Sequence, residues 1–316
     1  MSHPPMRALV TGSNGFLGRH LADLLLAQGH DVHGVVRPRP AVSVAARPAH
    51  AVTVLDFAAA DTLDTLLAEY RPSHVFHCAG SLRTPGLDAA SLITANVTVT
   101  EQLLAALARC AAAPVVVVPA SAAVYGRPQA LPIDEDHPIA PLDLYGVSKA
   151  AQELVLEQHH RAWGCPIRIL RVFNVVGPGQ PPTLVAASMA RQIALVERGE
   201  RARVEVGNLS SARDLVDVRD VARACVGAAQ LDAGRIVLNV CSGRATPMED
   251  CLAALREAAR VPFDVVRSAT LLRPNDVPEH RGDPARIAAV LGWQPAIAFA
   301  DSMRDLLVDW RARVAG

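Results

Sequence analysis

The sequence predicts an α/β fold: a doubly wound parallel sheet followed by a smaller, mixed α/β C-terminal lobe. Three observations point there. Apolar runs alternate with amphipathic stretches through the first 173 residues, the pattern of successive βαβ units. Four valines in a row at 115–118 lack any polar alternation, as suits a central strand covered on both faces. Glycines 12, 15 and 18 lie between the first apolar run and the first amphipathic one, where such folds turn from strand to helix.

Taken in order, residues 7–11 read as a buried strand and 15–28 as a helix, with Leu17, Leu21, Leu24 and Leu25 on one face. Gly29 stands where a left-handed cap ends a helix. A second strand covers 31–36, and a proline-bearing loop follows from Arg37 to Pro48. Further strands are expected near 51–54, 74–78, 115–118 and 167–172, with helices over 61–69, 91–112 and 144–163. Past 173 the segment Gly177-Pro178-Gly179-Gln180-Pro181-Pro182 breaks regular structure, and prolines recur at 247, 262, 274, 278, 284 and 295. The expected division is a dinucleotide-binding unit over 1–173, with 214–240 packing back onto it. The substrate lobe then comprises 174–213 and 241–316, set over the carboxyl edge of the sheet, where open α/β folds bind ligands.

Bulk properties exclude several classes of function. The 316 residues carry a formal net charge of zero, so no basic footprint argues for nucleic acid or an anionic membrane. The six cysteines are scattered, with no C-x-x-C and no zinc-spaced His/Cys set, so no metal is expected and a reducing compartment is. Met1 to Met6 shows no basic-then-apolar signal. No apolar run approaches the length of a bilayer span. A cytoplasmic protein is the expectation.

The glycine-rich turn is a candidate dinucleotide site of the Rossmann type. Gly12 permits the tight turn, Gly15 lets the backbone approach phosphate, and Gly18 allows close helix–strand contact. The helix amino end then faces the pyrophosphate with unpaired N–H groups. An NAD site usually ends its second strand in an acid; here the strand ends Val35-Val36-Arg37-Pro38-Arg39. Arginine can chelate a 2′-phosphate, which favours NADP(H), with NAD(H) as the alternative.

Tyr145 and Lys149 stand one helical turn apart, and Ser121 closes the fifth strand. A free phenol, with a pKa of about 10, exchanges protons poorly at neutrality. A neighbouring ammonium favours the phenolate, and a strand-end hydroxyl can hold a substrate oxygen against it. Tyr-x-x-x-Lys is common by chance; its weight comes from following a strand-end serine and a dinucleotide fingerprint.

Together these residues resemble the extended short-chain dehydrogenase/reductases of the NAD-dependent epimerase/dehydratase family that act on nucleotide sugars. The likeness runs along nearly the whole chain: T-G-S-N-G-F-L-G at 11–18, H-C-A-G at 77–80, Asn96-Val97, S-A-A-V-Y-G at 121–126, Y-G-V-S-K at 145–149 and L-R-V-F-N-V-V-G-P-G-Q at 170–180. The resemblance makes Ser121, Tyr145 and Lys149 catalytic. It places Asp56 and Phe57 near the adenine, Phe16, Leu17 and Ala79 along the cofactor, where Arg37 is already a candidate, and Asn96 at the cofactor site in support of the catalytic helix. Asn174 and Arg213 would then contact the sugar nucleotide, and a homodimer built on helices 91–112 and 144–163 is implied.

Within the family the second half is similar to the GDP-4-keto-6-deoxy-D-mannose reductases, through V-G-N-L-S-S-A-R-D-L-V-D-V-R-D at 206–220, N-V-C-S-G at 239–243 and R-P-N-D-V-P-E-H-R-G-D at 273–283. That likeness implies NADPH-dependent reduction of a GDP-linked 4-keto-6-deoxyhexose, with a nucleotide-sugar 4-epimerase as the alternative. Two positions depart from the family. Pro119-Ala120 replaces small hydroxyl residues before Ser121, and Ala122-Ala123 replaces the Asp-Glu pair of 4,6-dehydratases. Dehydration thereby lacks an acid and a base.

Other residues invite blander readings. His159-His160 and Asp134-Glu135-Asp136 are expected to be solvated surface, Trp293 and Trp310 packing anchors, and His77 a hydrogen-bonded core histidine. Arg281 could meet a substrate phosphate or pair with Asp283. Arg83 is a weaker candidate of the same kind.

Overall fold

The computed structural model describes residues 4–38, 51–57, 60–82, 88–110, 113–271 and 277–315. Seven parallel strands form one sheet in the order β11-β6-β5-β4-β1-β2-β3. They are β1 (Arg7–Thr11), β2 (Asp31–Val36), β3 (Ala51–Val54), β4 (His74–His77), β5 (Val115–Ser121), β6 (Ile167–Val172) and β11 (Arg235–Val240). The strand order reverses between β1 and β4, which creates a crevice at their carboxyl ends.

Helices cover both faces, and the strands read out that fact residue by residue. Ala8 and Val10 of β1 enter one core with Leu21 and Leu25 of α1 (Phe16–Ala27) and Val221 and Cys225 of α7 (Val218–Ala229). Leu9, between them, enters the opposite core with Leu63 and Leu67 of α2 (Ala60–Tyr70). The valine run divides likewise: Val117 faces the first core, Val116 and Val118 the second. A strand alternates its side chains between faces, so a run apolar at every position has two cores to fill. Ile287 of α9 (Ala285–Leu291) and Trp293 also join the first core, which ties part of the 241–316 segment to the sheet.

The helix expected over 91–112 is three pieces in line: α3 (Ala89–Ile93), a π-helical turn (Thr94–Thr98) and α4 (Val99–Arg109). By length and composition alone its 21 residues, with a window of mean hydropathy 1.2, could cross a bilayer, contrary to the reading of the sequence. Its apolarity is that of a core helix: Leu103, Leu104 and Leu107 are buried against the sheet. Strand β5 runs through the valines to Ser121, which closes it as the sequence reading has it. Helix α5 (Leu144–Trp163) occupies the expected span and ends on Gly164 in the left-handed region at φ 71°. Gly29, at φ 80°, likewise follows α1.

The rest of the chain builds a third core from α6 (Val185–Glu197), β8 (Arg203–Val206), α8 (Met248–Glu257) and α10 (Phe299–Ala315). Strand β13 (Asp264–Arg267) extends β8. Short pairings stitch it to the sheet edge: β7 (Asn174–Val176) with β10 (Leu215–Asp217), and β9 (Ala212–Arg213) between β12 (Thr246–Pro247) and β14 (Glu279–His280). Trp310 is buried in this core, as Trp293 is in the first.

Candidate functional site

At the carboxyl end of β1, Gly12 adopts φ 68° and its amide donates to Val35 O at 2.7 Å. A Cβ there would lie 2.9 Å from Ala79 N and Cys78 O, and one on Gly18 would lie 2.2 Å from Gly12 O. The turn is closed as tightly as glycine allows. No side chain caps α1 at Gly15, and its first turn holds no acidic residue. Its exposed N–H groups and positive end suit an anion, so the residues fit a dinucleotide pyrophosphate.

Phe16 meets His20 edge to face with ring centres 6.3 Å apart, and Leu17 packs on the first core. Arg37 is exposed just past β2, while Phe57 is buried in the second core and Asp56 beside it is exposed. Arg39 and most of the proline-bearing loop lie outside the described residues, as does Arg83. Ala79 follows β4, its amide donating to Thr11 Oγ1 at 3.1 Å.

Ser121, Tyr145 and Lys149 come together beyond β5. The chain leaves Ser121 through a 3₁₀ turn (Ala122–Tyr125), whose Ala123 amide donates to Ser121 Oγ at 3.2 Å. Asp143 caps α5, accepting from the Gly146 amide at 2.8 Å. A Cβ on Gly146 would fall 2.7 Å from Ala123 O and 2.8 Å from Pro141 Cβ. That bare position lets the helix start against the turn and sets the Tyr145 phenol near enough to Ser121 for the hydroxyl to act on its protonation.

Burial raises the phenol's pKa above its usual value, with Asp143 adding to the rise and the Ser121 hydrogen bond opposing it. The sequence reading expects Lys149 to depress this pKa, and here the structure differs. The ammonium points to Pro119 O at 3.3 Å and Gln152 Oε1 at 2.6 Å. Burial lowers its own pKa to about 8, against a partly compensating pull from Glu153 and Cys78.

Behind Lys149 runs a chain of polar side chains that pattern reading missed. Gln152 Nε2 donates to Thr100 Oγ1 at 2.8 Å, and His77 joins Thr100 at 2.9 Å and Thr11 at 2.8 Å. Burial pushes the His77 imidazole down to about 3, with Lys149 adding to the effect, so it is a neutral, hydrogen-bonded core residue, as expected. Asn96, in the π-helical turn, donates to Ser148 Oγ of α5 at 2.9 Å and accepts from Ser81 N at 2.8 Å. One signal for this region lay in plain view: Lys149 is the only lysine among 31 Lys and Arg residues.

On the lobe side, Asn174 is exposed on β7. Arg213 Nη1 donates to Val277 O at 2.7 Å and Ala212 O at 2.8 Å. Arg281 pairs with Glu279 at 2.9 Å, not with Asp283, whose carboxylate instead accepts from Ala285 N two residues on at 2.8 Å. Glu135 is not solvated surface. It is buried, accepting from Asn239 N at 2.7 Å and pairing with Arg286 at 3.2 Å. Asn239 in turn accepts from the Tyr125 phenol at 2.7 Å, and Arg171 links that phenol to Glu153. His159 and His160 are half-buried rather than solvated. The first accepts from Trp163 Nε1 and the second meets Cys165 O, both at 2.8 Å.

Comparison with known proteins matches residues 8–241 to the NAD dependent epimerase/dehydratase family. The chain is 34% identical over 313 residues to a GDP-6-deoxy-D-mannose reductase of Pseudomonas aeruginosa, covering 98% of each sequence. It is 32% identical over 308 residues to a UDP-glucose 4-epimerase of Mycolicibacterium smegmatis, covering 94% of this chain and 96% of that one. The solved structure of RMD from Pseudomonas aeruginosa complexed with NADPH superposes with a TM-score of 0.84 at 34% identity, covering 98% of this chain and 99% of that one.

Proposed function

The chain belongs to the NAD-dependent epimerase/dehydratase family, and from that premise we propose that it reduces the 4-keto group of a nucleotide-linked 4-keto-6-deoxyhexose with NADPH. The family relationship makes it an NAD(P)-dependent oxidoreductase of the extended short-chain dehydrogenase/reductase type. The substrate favoured is GDP-4-keto-6-deoxy-D-mannose and the product GDP-D-rhamnose.

One observation carries the reading: Ser121 at the end of β5 acts on the Tyr145 phenol at the start of α5, with Lys149 a helical turn further along the same helix. Bound NADPH supplies the hydride to the carbonyl carbon. Ser121 donates a hydrogen bond to the carbonyl oxygen and polarises it. Tyr145 then gives its phenolic proton to the oxygen, so the ketone gains one hydride and one proton and becomes a secondary alcohol. Burial favours the protonated phenol, the form that a reduction consumes. With the cofactor bound, Lys149 would hold the nicotinamide ribose. Ala122 and Ala123 carry no carboxylate, so the site has no acid–base pair there for dehydration.

Arg37, exposed at the end of β2, supports NADPH over NADH, since it can pair with a 2′-phosphate. Leu144, Val147 and Leu154 of α5 are exposed apolar residues. They supply surface for a homodimer, which sedimentation would read as a two-chain species.

The 4-epimerase reading draws on the Mycolicibacterium relative. It uses the same three residues but returns the hydride to its substrate. Incubation with NADPH and a 4-keto sugar nucleotide separates the two. Stoichiometric loss of absorbance at 340 nm, with NADPH preferred over NADH, is the expected result. Turnover without net cofactor oxidation would overturn it.

A further inference from the structure

Behind the Lys149 ammonium lies a connected run of buried polar side chains. Lys149 has no acceptor atom, so the Gln152 atom 2.6 Å from its ammonium must be the carboxamide oxygen. Gln152 then presents its NH₂ to Thr100 Oγ1 at 2.8 Å. The single Thr100 hydroxyl hydrogen goes to Asn96 O at 2.7 Å, leaving that oxygen only acceptor capacity. His77 Nε2, 2.9 Å away, must therefore donate to it. Its Nδ1 is consequently an acceptor and takes the hydrogen of Thr11 at 2.8 Å. Thr11 Oγ1 in turn accepts from the Ala79 amide at 3.1 Å. Thr11, His77, Thr100, Lys149 and Gln152 are all buried, so each of these hydrogen bonds lacks competition from bulk water.

We propose that Gln152 is the positioning residue for Lys149, and that Thr100, His77 and Thr11 brace it against the glycine-rich turn. The proposal rests on the reading of Lys149 as part of the active site. The consequence is mechanical. Thr11 immediately precedes Gly12, and Ala79 abuts it, so one continuous chain of hydrogen bonds fixes the ammonium relative to the turn that binds the pyrophosphate. A lysine on a four-carbon stem is otherwise free to swing. The brace is also electrostatic, because a carboxamide oxygen aimed at an ammonium favours the charged form that burial opposes. The other titratable groups around the ammonium are Glu153, tied to Arg171 of β6, the neutral His77 of β4, the thiol of Cys78, which burial pushes up to about 12, and Tyr145.

The composition of the chain makes a direct test available. Because Lys149 is the only lysine, protein grown on lysine carrying ¹³C at the ε-carbon gives one side-chain signal, whose shift against pH reports this ammonium alone. The wild-type midpoint is expected near the value of about 8 that burial sets. Gln152→Leu should move it down by about one unit, the equivalent of a hydrogen bond to a charged group. Gln152→Glu should move it up, and Thr100→Val, which unties Gln152, should move it down. NADPH affinity, read by fluorescence, should weaken in the Leu and Val variants. Wild-type midpoints in Gln152→Leu and Thr100→Val would overturn the proposal, even with lowered melting temperatures, since a purely structural role predicts that result. None of these readouts uses a sugar nucleotide. Failure to reduce any 4-keto substrate would therefore remove the functional reading and leave the brace standing.

Discussion

Tyr145 occupies a site that holds its proton on. Burial and the Asp143 carboxylate both disfavour the phenolate, and only the Ser121 hydrogen bond works the other way. A group of that kind is ready to give a proton to a nascent alkoxide, the step a ketone reduction needs. Tyr145→Phe should lower kcat by roughly 10²–10⁴-fold, the range for losing a positioned acid, while NADPH affinity stays within a few-fold of wild type. Unchanged turnover would take the phenol out of the mechanism. Lys149 carries the pH dependence. Its folded pKa is depressed to about 8 by burial, so its charge is present below that pH and lost above it. The efficiency with NADPH should accordingly fall as pH rises through about 8, and a profile flat to pH 10 would contradict this. Ser121, Tyr145 and Lys149 were legible in the sequence because their order and spacing are local. Gln152 was not: its meaning depends on Thr100 and His77, which lie 52 and 75 positions earlier and meet it only once the sheet has formed.

The helix that carries two of these groups is placed by a residue with no side chain. Gly146 sits in the first turn of α5, where alanine would ordinarily be better by about 1 kcal/mol on helix propensity. Here the added Cβ would come within 2.7 Å of Ala123 O and 2.8 Å of Pro141 Cβ. Backbone and a proline ring cannot move aside as a flexible side chain would, so the steric term wins. Gly146→Ala should therefore lower the melting temperature. By pushing the start of α5 away from the turn after Ser121, it should also reduce kcat at least about tenfold, since a displacement of about 1 Å can cost far more. A rise in melting temperature with full activity would show that the contact is not tight. Elements such as α5 and β2 were readable to the residue because periodicity and caps are properties of short windows. The interruption at Thr94–Thr98 was not readable. The π-helical turn presents Asn96 to Ser148 of a different helix, a supporting role that the family resemblance implies for Asn96 but that helical periodicity does not carry.

At the scale of the whole molecule, two histidines tie stability to pH through both parts of the structure. His77 lies inside the sheet between β1 and α4, and burial, with Lys149 nearby, takes it to about 3. His280 lies in the lobe against Phe173, with ring centres 5.3 Å apart, and burial, then Arg213 and His137, take it to about 4. His77 was read from the sequence as a hydrogen-bonded core histidine, whereas His280 was not singled out, because a net charge of zero says nothing about which groups are held neutral. In the unfolded chain both titrate near 6.5. Above that pH neither state takes up a proton on them and their neutral burial carries no penalty. Below it the unfolded chain binds protons that the folded one refuses, and stability drains away as pH falls toward 4 and then 3. At pH 5.5 the loss is about 1.4 kcal/mol for each group relative to pH 7.5, a sizeable share of the 5–15 kcal/mol typical of a folded domain. Urea unfolding should show a lower midpoint at pH 5.5 than at 7.5. In His77→Gln the difference should shrink by the share that this group contributes, about 1.4 kcal/mol, although the variant starts from a lower midpoint because the bonds to Thr11 and Thr100 are disturbed. If wild type unfolds at one urea concentration across this range, the two imidazoles must take up protons without leaving the fold, and the buried chain from Thr11 to Lys149 would have to admit water.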